Sequence, residues 1–413
     1  LTGSQFTSTA ALHGNDIATF PDYPAEIRAP AGTVAGVSGF QVHIGKVDIF
    51  TPGDDPDVLV AMNPAALKNN IKDFQKGKLV IVDISTFEER NFQKAGYDSN
   101  PLEDGTLNGF QVLKADITKL TLLALESVDL DHKSKTRCKN FCALGLVFWI
   151  FNRDLEPTRK WIRSKFSSKA NLVDANIKAL EAGFNFGNTV EASFSTYIVP
   201  PANIAPGQYS LISGNQASAW GFALAGFKAG MRLFLGSYPI TPASDILHEL
   251  AKLKQFGVIT FQAEDEIAAM GSALGAAYGG ALAITSTSGP GLDLKSEAIG
   301  LSIMAELPVV IIDVQRAGPS TGLPTKTEQS DLLQAIYGRH GESPLVVVAP
   351  SCPSDCFDMA LEASRIALEH MTPVLYLSDG YIANGAEPWK IPSVANIPAI
   401  HPPFVMDDQP YLP

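Results

Sequence analysis

The sequence lacks several features that would place it in a common class of protein. It contains no run of about 20 apolar residues, the length that a transmembrane helix needs. It has no block of Lys or Arg, and its formal net charge is −12, which argues against a nucleic-acid partner because a phosphate backbone needs a basic patch. Neither GxGxxG nor GxxxxGK(S/T) follows a strand-like run, so the common phosphate-binding loops are missing.

Cysteine is also scarce. The four cysteines form two pairs with four-residue spacing, Cys138 with Cys142 and Cys352 with Cys356. On a helix this spacing puts both thiols on one face, whereas metal and cluster sites more often use C-x-x-C pairs on loops. We interpret the cysteines as plain buried or surface thiols, with a metal or cluster site as the alternative. So few cysteines indicate a reducing compartment, the cytoplasm.

Length and composition indicate a globular protein with more than one core. Hydrophobic residues make up 46% and charged residues 18% of the 413 residues, which is typical of a well-packed protein. A chain of this length exceeds one ordinary core, so we expect two or three domains. The chain begins at Leu1 and ends in a proline-rich stretch, and we expect residues to be missing at both ends.

Residues 1–188 are predicted to form one α/β domain. Apolar runs bounded by polar residues predict strands at 57–62 and 78–83. A helix start at Pro64 lies between them, so the segment predicts a β-α-β unit with parallel strands. Further helices are predicted at 142–152 and 171–182. Residues 189–211 carry several prolines and no clear period, which is typical of a linker.

The second half of the chain alternates strand-like and helix-like runs. Strands are predicted at 231–235, 257–261, 281–285, 308–314, 344–348 and 373–377. Helices are predicted at 243–254, 267–278 and 355–369. This alternation predicts a doubly wound parallel sheet over 212–385, in which ligands bind beyond the carboxyl ends of the strands. No element is predicted for 386–413, which we interpret as a linker towards a further domain.

Short segments after the first two of these strands contain candidate ligand contacts. The segment 238–242 (YPITP) is a stiff turn, because its prolines fix φ. It would hold Thr241 near a helix N-terminus, either as a ligand contact or as an N-cap. The segment 264–266 (EDE) places three carboxylates at a helix start. Their pattern alone favours an interaction with the helix dipole, and a carboxyl group that holds its proton more tightly is the alternative.

Two longer loops follow the third and fourth strands. The segment 285–291 (TSTSGPG) has hydroxyls and glycines that suit close approach to a ligand, and it also suits any tight turn. Arg316 stands at the carboxyl end of the fourth strand, where a guanidinium can clamp a carboxylate. An ion pair with Asp313 or contact with a neighbouring helix is the alternative. The long loop that follows favours a ligand role for Arg316.

These segments, in this order, resemble the alpha subunit of 2-oxoacid:ferredoxin oxidoreductases, most closely those that act on 2-oxoglutarate. The resemblance is dense over 212–390 and rests on the segments 238–242, 262–269, 287–291 and 313–331. The segment 20–28 (FPDYPAEIR) resembles the gamma domain of the same family, fused ahead of alpha. The resemblance therefore implies an N-terminal Rossmann-like gamma domain, followed by a doubly wound parallel-sheet domain that binds the pyrimidine of thiamine diphosphate.

The resemblance implies a role for each candidate residue. Glu266 would be catalytic and would hydrogen-bond N1′ of the thiamine aminopyrimidine. The other implied cofactor contacts are Tyr238, Pro239, Ile240, Ser288 and Gly289. The implied substrate contacts are Thr241, Arg316 and Thr321. A second carboxylate on 2-oxoglutarate would need a cation, which Lys326 or a residue of a partner chain could supply.

The resemblance further implies an active site shared with a second chain. The Gly-Asp-Gly signature of a metal-diphosphate site is absent, since Asp104 and Asp379 lack its context. We therefore assign no metal ligand to this chain. A beta subunit is expected to carry the Mg²⁺ and diphosphate site and a [4Fe-4S] cluster, in a dimer of alpha-beta heterodimers.

The implied activity is the oxidative decarboxylation of a 2-oxoacid to acyl-CoA and CO2, with coenzyme A as co-substrate and ferredoxin as electron acceptor. One alternative is the same oxidoreductase acting on pyruvate or branched 2-oxoacids. Another is a non-redox thiamine enzyme of transketolase or decarboxylase type. A third is a non-catalytic scaffold that keeps only the fold.

Overall fold

The computed structural model describes residues 1–24, 37–190, 194 and 196–403. The chain divides into two compact units, Leu1–Pro206 and Gly207–Pro413. Residues 25–28, which belong to the segment that resembles a gamma domain, lie outside the described residues. Within the predicted linker, residues 196–208 form no helix or strand, and the domain boundaries themselves stay predictions.

The first unit contains two small sheets surrounded by helices. Its elements in chain order are α1 (Thr2–Leu12), β1 (Asp16–Asp22), β2 (Gly39–Gly45), β3 (Val58–Ala61), α2 (Pro64–Asn70), β4 (Leu79–Asp83), α3 (Glu89–Lys94), β5 (Gln111–Ala115), α4 (Ile117–Ala124), α5 (His132–Arg137), α6 (Lys139–Ile150), α7 (Glu156–Lys165) and α8 (Ala170–Val190).

The predicted β-α-β unit is confirmed. Strands β3, β4 and β5 pair in that order, and both pairs are parallel. The helix between the first two strands starts where the sequence predicts: the Asn63 side chain accepts a hydrogen bond from Ala66 N at 2.8 Å, and Pro64 occupies the first turn. Strands β1 and β2, which pair antiparallel in a separate sheet, have no counterpart among the predicted elements.

The core of the first unit is built around α6, which is buried on nearly every side. A helix that is apolar all round must be enclosed by other elements, and α8 packs directly against it. The approach is so close that a Cβ atom added at Gly145 would lie 1.9 Å from the carbonyl oxygen of Leu180. A Cβ atom added at Gly183 would lie 1.8 Å from the carbonyl oxygen of Cys142. Glycine is therefore required at both positions.

The second unit contains the larger sheet. Its elements in chain order are β6 (Tyr209–Ser213), α9 (Gly214–Ala229), β7 (Leu233–Ser237), α10 (Ser244–Leu250), β8 (Ile259–Gln262), α11 (Glu266–Tyr278), β9 (Leu282–Thr287), α12 (Gly289–Met304), β10 (Val309–Gln315), α13 (Leu332–Tyr337), β11 (Val346–Val348), α14 (Asp355–His370), β12 (Val374–Asp379), α15 (Gly380–Asn384) and β13 (Ala386–Lys390).

The doubly wound parallel sheet is confirmed. Its six strands lie in the order β11-β12-β10-β9-β7-β8, and every pair is parallel. Alternate residues of each strand face opposite layers. Ile284 and Ile312 pack towards α9, α10 and α14, whereas Ala283 and Ile311 pack towards α11, α12 and α13. Both faces of the sheet are therefore covered by helices.

The ends of the strands differ from the prediction in a consistent direction. Strands β7, β9, β10 and β12 extend beyond their apolar runs, so that they end at Ser237, Thr287, Gln315 and Asp379. These polar end residues are almost fully buried. The apolar pattern underestimates the strands at the edge where ligands are expected.

The sequence predicts no helix or strand in the segment 386–413, and this prediction is wrong. Residues Ala386–Lys390 form β13, which pairs antiparallel with β6. Pro388 within this strand obscured it, because proline cannot donate to the ladder and is tolerated only in edge strands. Among the described residues, no helix combines the length and the apolar character needed to cross a membrane.

We expect Gly183→Ala to lower the free energy of unfolding of the chain by about 1–3 kcal/mol, because the added methyl group forces α6 and α8 apart. Urea unfolding followed by circular dichroism measures this. The matched control is Gly271→Ala in α11, where no atom lies within 4 Å of the added Cβ. The control should be more stable than wild type by about 0.5–1 kcal/mol. Wild-type stability of Gly183→Ala would contradict the close approach of the two helices.

Candidate functional site

The segments predicted to carry the site follow neighbouring parallel strands. Strands β8, β7, β9 and β10 lie side by side in the sheet, and their carboxyl ends meet at one edge. The segment 238–242 follows β7, Glu266 follows β8, Ser288 and Gly289 follow β9, and Arg316 follows β10. The fold therefore brings these residues to a single edge, although they are distant in the chain.

Arg316 connects two of these segments. It is 6% exposed. Its Nη1 donates to the carbonyl oxygen of Thr241 at 2.8 Å, and its Nη2 donates to the carbonyl oxygen of Thr321 at 3.0 Å. Burial lowers the pKa of Arg316, and the nearby charge of Glu266 opposes this shift. The buried Nε–H has no partner among the described residues.

The two threonines bonded to Arg316 present exposed side chains. The N-cap interpretation of Thr241 is wrong, because α10 begins at Ser244 and Ala243 occupies its N-cap position. Arg316 also bonds to carbonyl oxygens rather than to Asp313, whose carboxylate oxygens accept from no described donor. The alternative of an Arg316–Asp313 ion pair is therefore wrong as well.

The loop that contains Thr321 and Lys326 folds back on itself. Ala317 N donates to the carbonyl oxygen of Lys326 at 2.9 Å, and Leu323 N donates to the carbonyl oxygen of Ala317 at 3.1 Å. These bonds hold Lys326 beside the residue that follows Arg316. The half-buried Lys326 is therefore on the same loop as Thr321, which Arg316 contacts.

Glu266 is the first residue of α11. The helix is capped by its neighbour, since Asp265 Oδ1 accepts from Ala268 N at 2.7 Å. The interpretation of the carboxylate cluster as a helix start therefore applies to Asp265. A Cβ atom added at Gly291 would lie 2.9 Å from Glu266 Cγ. The half-buried Glu266 side chain thus lies against the first turn of α12.

The remaining predicted cofactor residues differ in burial. Ser288 is fully buried, and its Oγ has no partner among the described residues. A Cβ atom added at Gly289 would lie 3.0 Å from Asp331 Oδ2. Tyr238 and Pro239 are exposed, whereas Ile240 packs against the core. The site therefore has an open wall after β7 and a closed, polar wall after β9.

A pair of buried carboxyl groups lies beneath this closed wall, and the sequence interpretation missed it. Asp313 on β10 is completely buried, and no described N–H or O–H group donates to either of its oxygens. Burial, followed by the charge of Asp331, raises the pKa of Asp313 well above its usual value. Burial also raises the pKa of Asp331. Both shifts favour the neutral, protonated form of a carboxyl group at this place in the fold.

Asp331 also ties the end of the loop to the sheet. Its backbone N–H donates to Gln315 Oε1 at 2.9 Å, and Gln315 Nε2 donates to the carbonyl oxygen of Ser378 at 3.1 Å. The loop that starts at Arg316 therefore ends at Asp331. The backbone of Asp331 is bonded to Gln315 of β10, and its side chain acts on Asp313 of the same strand.

Lys295 on α12 was also missed. It is fully buried, and its Nζ donates to the carbonyl oxygen of Glu266 at 2.7 Å. The signal in the sequence is a charged residue at an apolar position of the helix. The buried positions Leu292, Lys295, Ile299 and Ser302 recur every three or four residues, which is the period of a helix face that packs on the core.

The four cysteines are free thiols, as interpreted from the sequence. Burial raises the pKa of each of them, and the value for Cys142 reaches about 11. In the part of the chain that the structure describes, no group of three or more His, Cys, Asp or Glu side chains is arranged to hold a metal ion. The location of the metal site on a partner chain stays a prediction.

Comparison with protein-family models gives two matches. Residues 1–186 match the model described as pyruvate ferredoxin/flavodoxin oxidoreductase. Residues 225–412 match the model described as pyruvate flavodoxin/ferredoxin oxidoreductase, thiamine diphosphate-binding. The second match contains all of the predicted site residues.

Similar proteins are found along the whole chain. The 2-oxoglutarate oxidoreductase subunit KorA of Mycobacterium tuberculosis is 59% identical over 413 residues, which are 100% of this chain and 63% of that protein. The 2-oxoglutarate synthase subunit KorA of Archaeoglobus fulgidus is 44% identical over 191 residues, 46% of this chain and 54% of that protein. The chain thus spans between half and two thirds of the length of these relatives.

A solved structure resembles the chain over both units. It is the 2-oxoglutarate:ferredoxin oxidoreductase from Magnetococcus marinus with 2-oxoglutarate, coenzyme A and succinyl-CoA bound. The TM-score is 0.81 at 30% sequence identity, and the match covers 99% of this chain and 66% of that chain.

The raised pKa of Asp313 predicts how the free energy of unfolding depends on pH. Because its pKa is raised in the folded state, Asp313 stabilises the fold fully below its unfolded pKa of about 4 and loses that contribution as pH rises through its folded pKa. We expect the free energy of unfolding of wild type to fall relative to Asp313→Asn as the pH is raised from about 4 to neutrality. Urea titrations at several pH values measure the difference.

The control for this comparison is Asp54→Asn, which removes one exposed carboxylate from the other unit. It should show no such relative trend. A difference between wild type and Asp313→Asn that stays constant with pH would contradict the raised pKa of Asp313.

Proposed function

The chain belongs to the family of 2-oxoacid:ferredoxin oxidoreductases, and on that basis we propose that it holds the pyrimidine half of thiamine diphosphate in a 2-oxoglutarate:ferredoxin oxidoreductase. The proposed reaction is the oxidative decarboxylation of 2-oxoglutarate to succinyl-CoA and CO2. Electrons pass to ferredoxin, and the reaction is reversible. The proposal also locates the protein in the cytoplasm.

The observation that carries this proposal is the position of Glu266. Its side chain lies at the carboxyl edge of the sheet, against the Gly289–Met304 helix start and within the electrostatic reach of Arg316. A carboxylate in this position can accept or donate a proton at N1′ of an aminopyrimidine. Arg316 carries a guanidinium at the same edge of the sheet, and such a group can bind the carboxylate of a 2-oxoacid.

The residues present fit the pyrimidine half of the cofactor. Gly289 and Gly291 carry no side chain that would collide with Asp331 or Glu266, so both carboxyl groups lie directly against the first turn of α12. Ser288 Oγ is a buried hydroxyl without a partner among the described residues. Exposed Tyr238 offers an aromatic wall. When bound, thiamine diphosphate supplies the electron-accepting ring on which 2-oxoacids are decarboxylated.

The substrate would lie between the turn after β7 and the loop after β10. Arg316 already bonds to both through the carbonyl oxygens of Thr241 and Thr321. Its remaining donors would bind the carboxylate next to the keto group, and the exposed Thr241 and Thr321 side chains would line the pocket. Lys326, on the same loop, would bind the distal carboxylate of 2-oxoglutarate.

A beta subunit would complete the site with the diphosphate, Mg²⁺ and a [4Fe-4S] cluster. The helical layer formed by α11, α12 and α13 supports a docking role, because it exposes large apolar side chains. These include Ile267, Leu294, Leu301, Met304, Leu333 and Tyr337. Two such heterodimers would associate, with coenzyme A as co-substrate.

Pyruvate is a second candidate substrate, because both matching family models are named after pyruvate enzymes. The two relatives described above are named after 2-oxoglutarate, which favours the larger acid. Iron analysis of the purified complex separates either possibility from a non-redox thiamine enzyme.

Glu266→Gln tests the catalytic assignment in the complex with the beta subunit. Since Gln cannot exchange a proton at N1′, we expect kcat for 2-oxoglutarate-dependent reduction of methyl viologen to fall by about a hundredfold or more. The matched control is Glu264→Gln, an exposed carboxylate two residues earlier, which should retain wild-type activity. Near-wild-type activity of Glu266→Gln would remove Glu266 from the mechanism.

Lys326→Met tests the substrate assignment. Loss of one charge-assisted hydrogen bond should lower kcat/KM for 2-oxoglutarate by about tenfold or more. The value for pyruvate, which has no distal carboxylate, should change little and serves as an internal control. An equal loss with both acids would show that Lys326 acts on the loop and not on the distal carboxylate.

A further inference from the structure

A fully buried lysine lies under the proposed catalytic carboxylate. Lys295 is on α12 among the core residues Leu292 and Ile299. Burial of an ammonium group costs several kcal/mol unless hydrogen bonds and opposite charges compensate for the lost water. Its Nζ donates to the carbonyl oxygen of Glu266 at 2.7 Å.

The start of α12 contacts Glu266 at two points. Gly291 leaves the space that Glu266 Cγ occupies, since a Cβ atom there would lie at 2.9 Å. Lys295 follows four residues later, on the same face of the helix, and binds the backbone of the same glutamate. One turn of α12 therefore accommodates the Glu266 side chain, and the next turn holds its main chain.

The charge on Lys295 is balanced by α11. The groups whose charges act on it from that helix start are Glu266 and Asp265. Arg316 acts on Glu266 from the end of β10. On α12 itself, the Asp293 carboxylate accepts from Gln334 Nε2. Burial lowers the pKa of Lys295 to about 8, against the opposing effect of the two carboxylates.

We propose that Lys295 is a positioning residue for Glu266: its ammonium holds the first turn of α11 against α12 and so sets the direction in which the Glu266 carboxylate points towards the cofactor pyrimidine. This inference rests on the proposed function of the site. The lysine does not touch the reacting atoms, because it is enclosed by the core. Loss of its proton weakens the bond to the Glu266 carbonyl and the attraction to both carboxylates.

A positioning role for Lys295 cannot be recognised from stability alone. Replacing a whole buried ion pair with apolar side chains is often neutral, whereas removing one partner alone is destabilising. We therefore expect Lys295→Met to lower the urea midpoint of unfolding. Only a positioning role predicts that the pH dependence of the cofactor site and kcat change as well.

The experiment uses the full-length chain in complex with its beta subunit. The first readout is near-ultraviolet circular dichroism of bound thiamine diphosphate, titrated with pH. Wild type should show a transition near pH 8, where Lys295 loses its proton, and Lys295→Met should not show it. The second readout is kinetic: kcat for 2-oxoglutarate should fall by about tenfold, with KM changed by less than about twofold.

Lys252→Met is the matched control. Lys252 is an exposed lysine of the same unit that pairs with Glu249. The substitution therefore removes the same charge from a place outside the site. It should keep both the pH transition and the wild-type kcat. If Lys295→Met does not assemble with the beta subunit, Lys295→Gln replaces it. This variant keeps an N–H donor and should also lose the transition.

Two failures can be told apart. A wild-type complex that binds no thiamine diphosphate would end the proposed function itself. A wild-type complex that binds the cofactor and turns over, together with a Lys295 variant that keeps both the pH transition and kcat, would overturn the positioning role alone.

Discussion

The bonds from Arg316 to the carbonyl oxygens of Thr241 and Thr321 connect the two loops on which the candidate site depends. The first loop follows β7 and the second follows β10, so the guanidinium spans the strand that lies between them in the sheet. Its five donors in a rigid plane allow it to bind two turns at once. The relative position of the two loops therefore depends on one side chain buried at the edge of the sheet.

Burial of charge is the cost that this arrangement carries. Arg316, Lys295 and Asp313 are all almost fully removed from water. Burial favours the neutral form of each group, because it lowers the pKa of Arg316 and Lys295 and raises the pKa of Asp313. Each is accommodated differently: Arg316 has carbonyl oxygens, Lys295 has a carbonyl oxygen and two carboxylates, and the raised pKa of Asp313 favours its neutral form. Such groups at one edge of a sheet are typical of functional sites, where stability is traded for a preorganised environment.

Much of the second unit can be predicted from the sequence, because its strands are continuous apolar runs buried on both faces. The family resemblance added the roles of Glu266 and Arg316, which the pattern of residues alone left open. Less was predictable where polar residues are buried. Ser237, Thr287, Gln315 and Asp379 extend the strands past their apolar runs, and Pro388 hides β13. In each case hydrogen bonding to a neighbour, and not hydrophobicity, determines the element.

The sequence by itself determined the alternation of strands and helices, the edge of the sheet at which a ligand is expected and the residues that follow each strand, since these depend on local periodicity and chain direction. Only the tertiary structure decided which polar groups meet. The pairing of Asp313 with Asp331 and the bond from Lys295 to Glu266 join residues on different elements. Their energies depend on distance and on exclusion of water, and neither quantity is written in a linear pattern. The charged residue at an apolar position of α12 was visible in the sequence, but its partner was not.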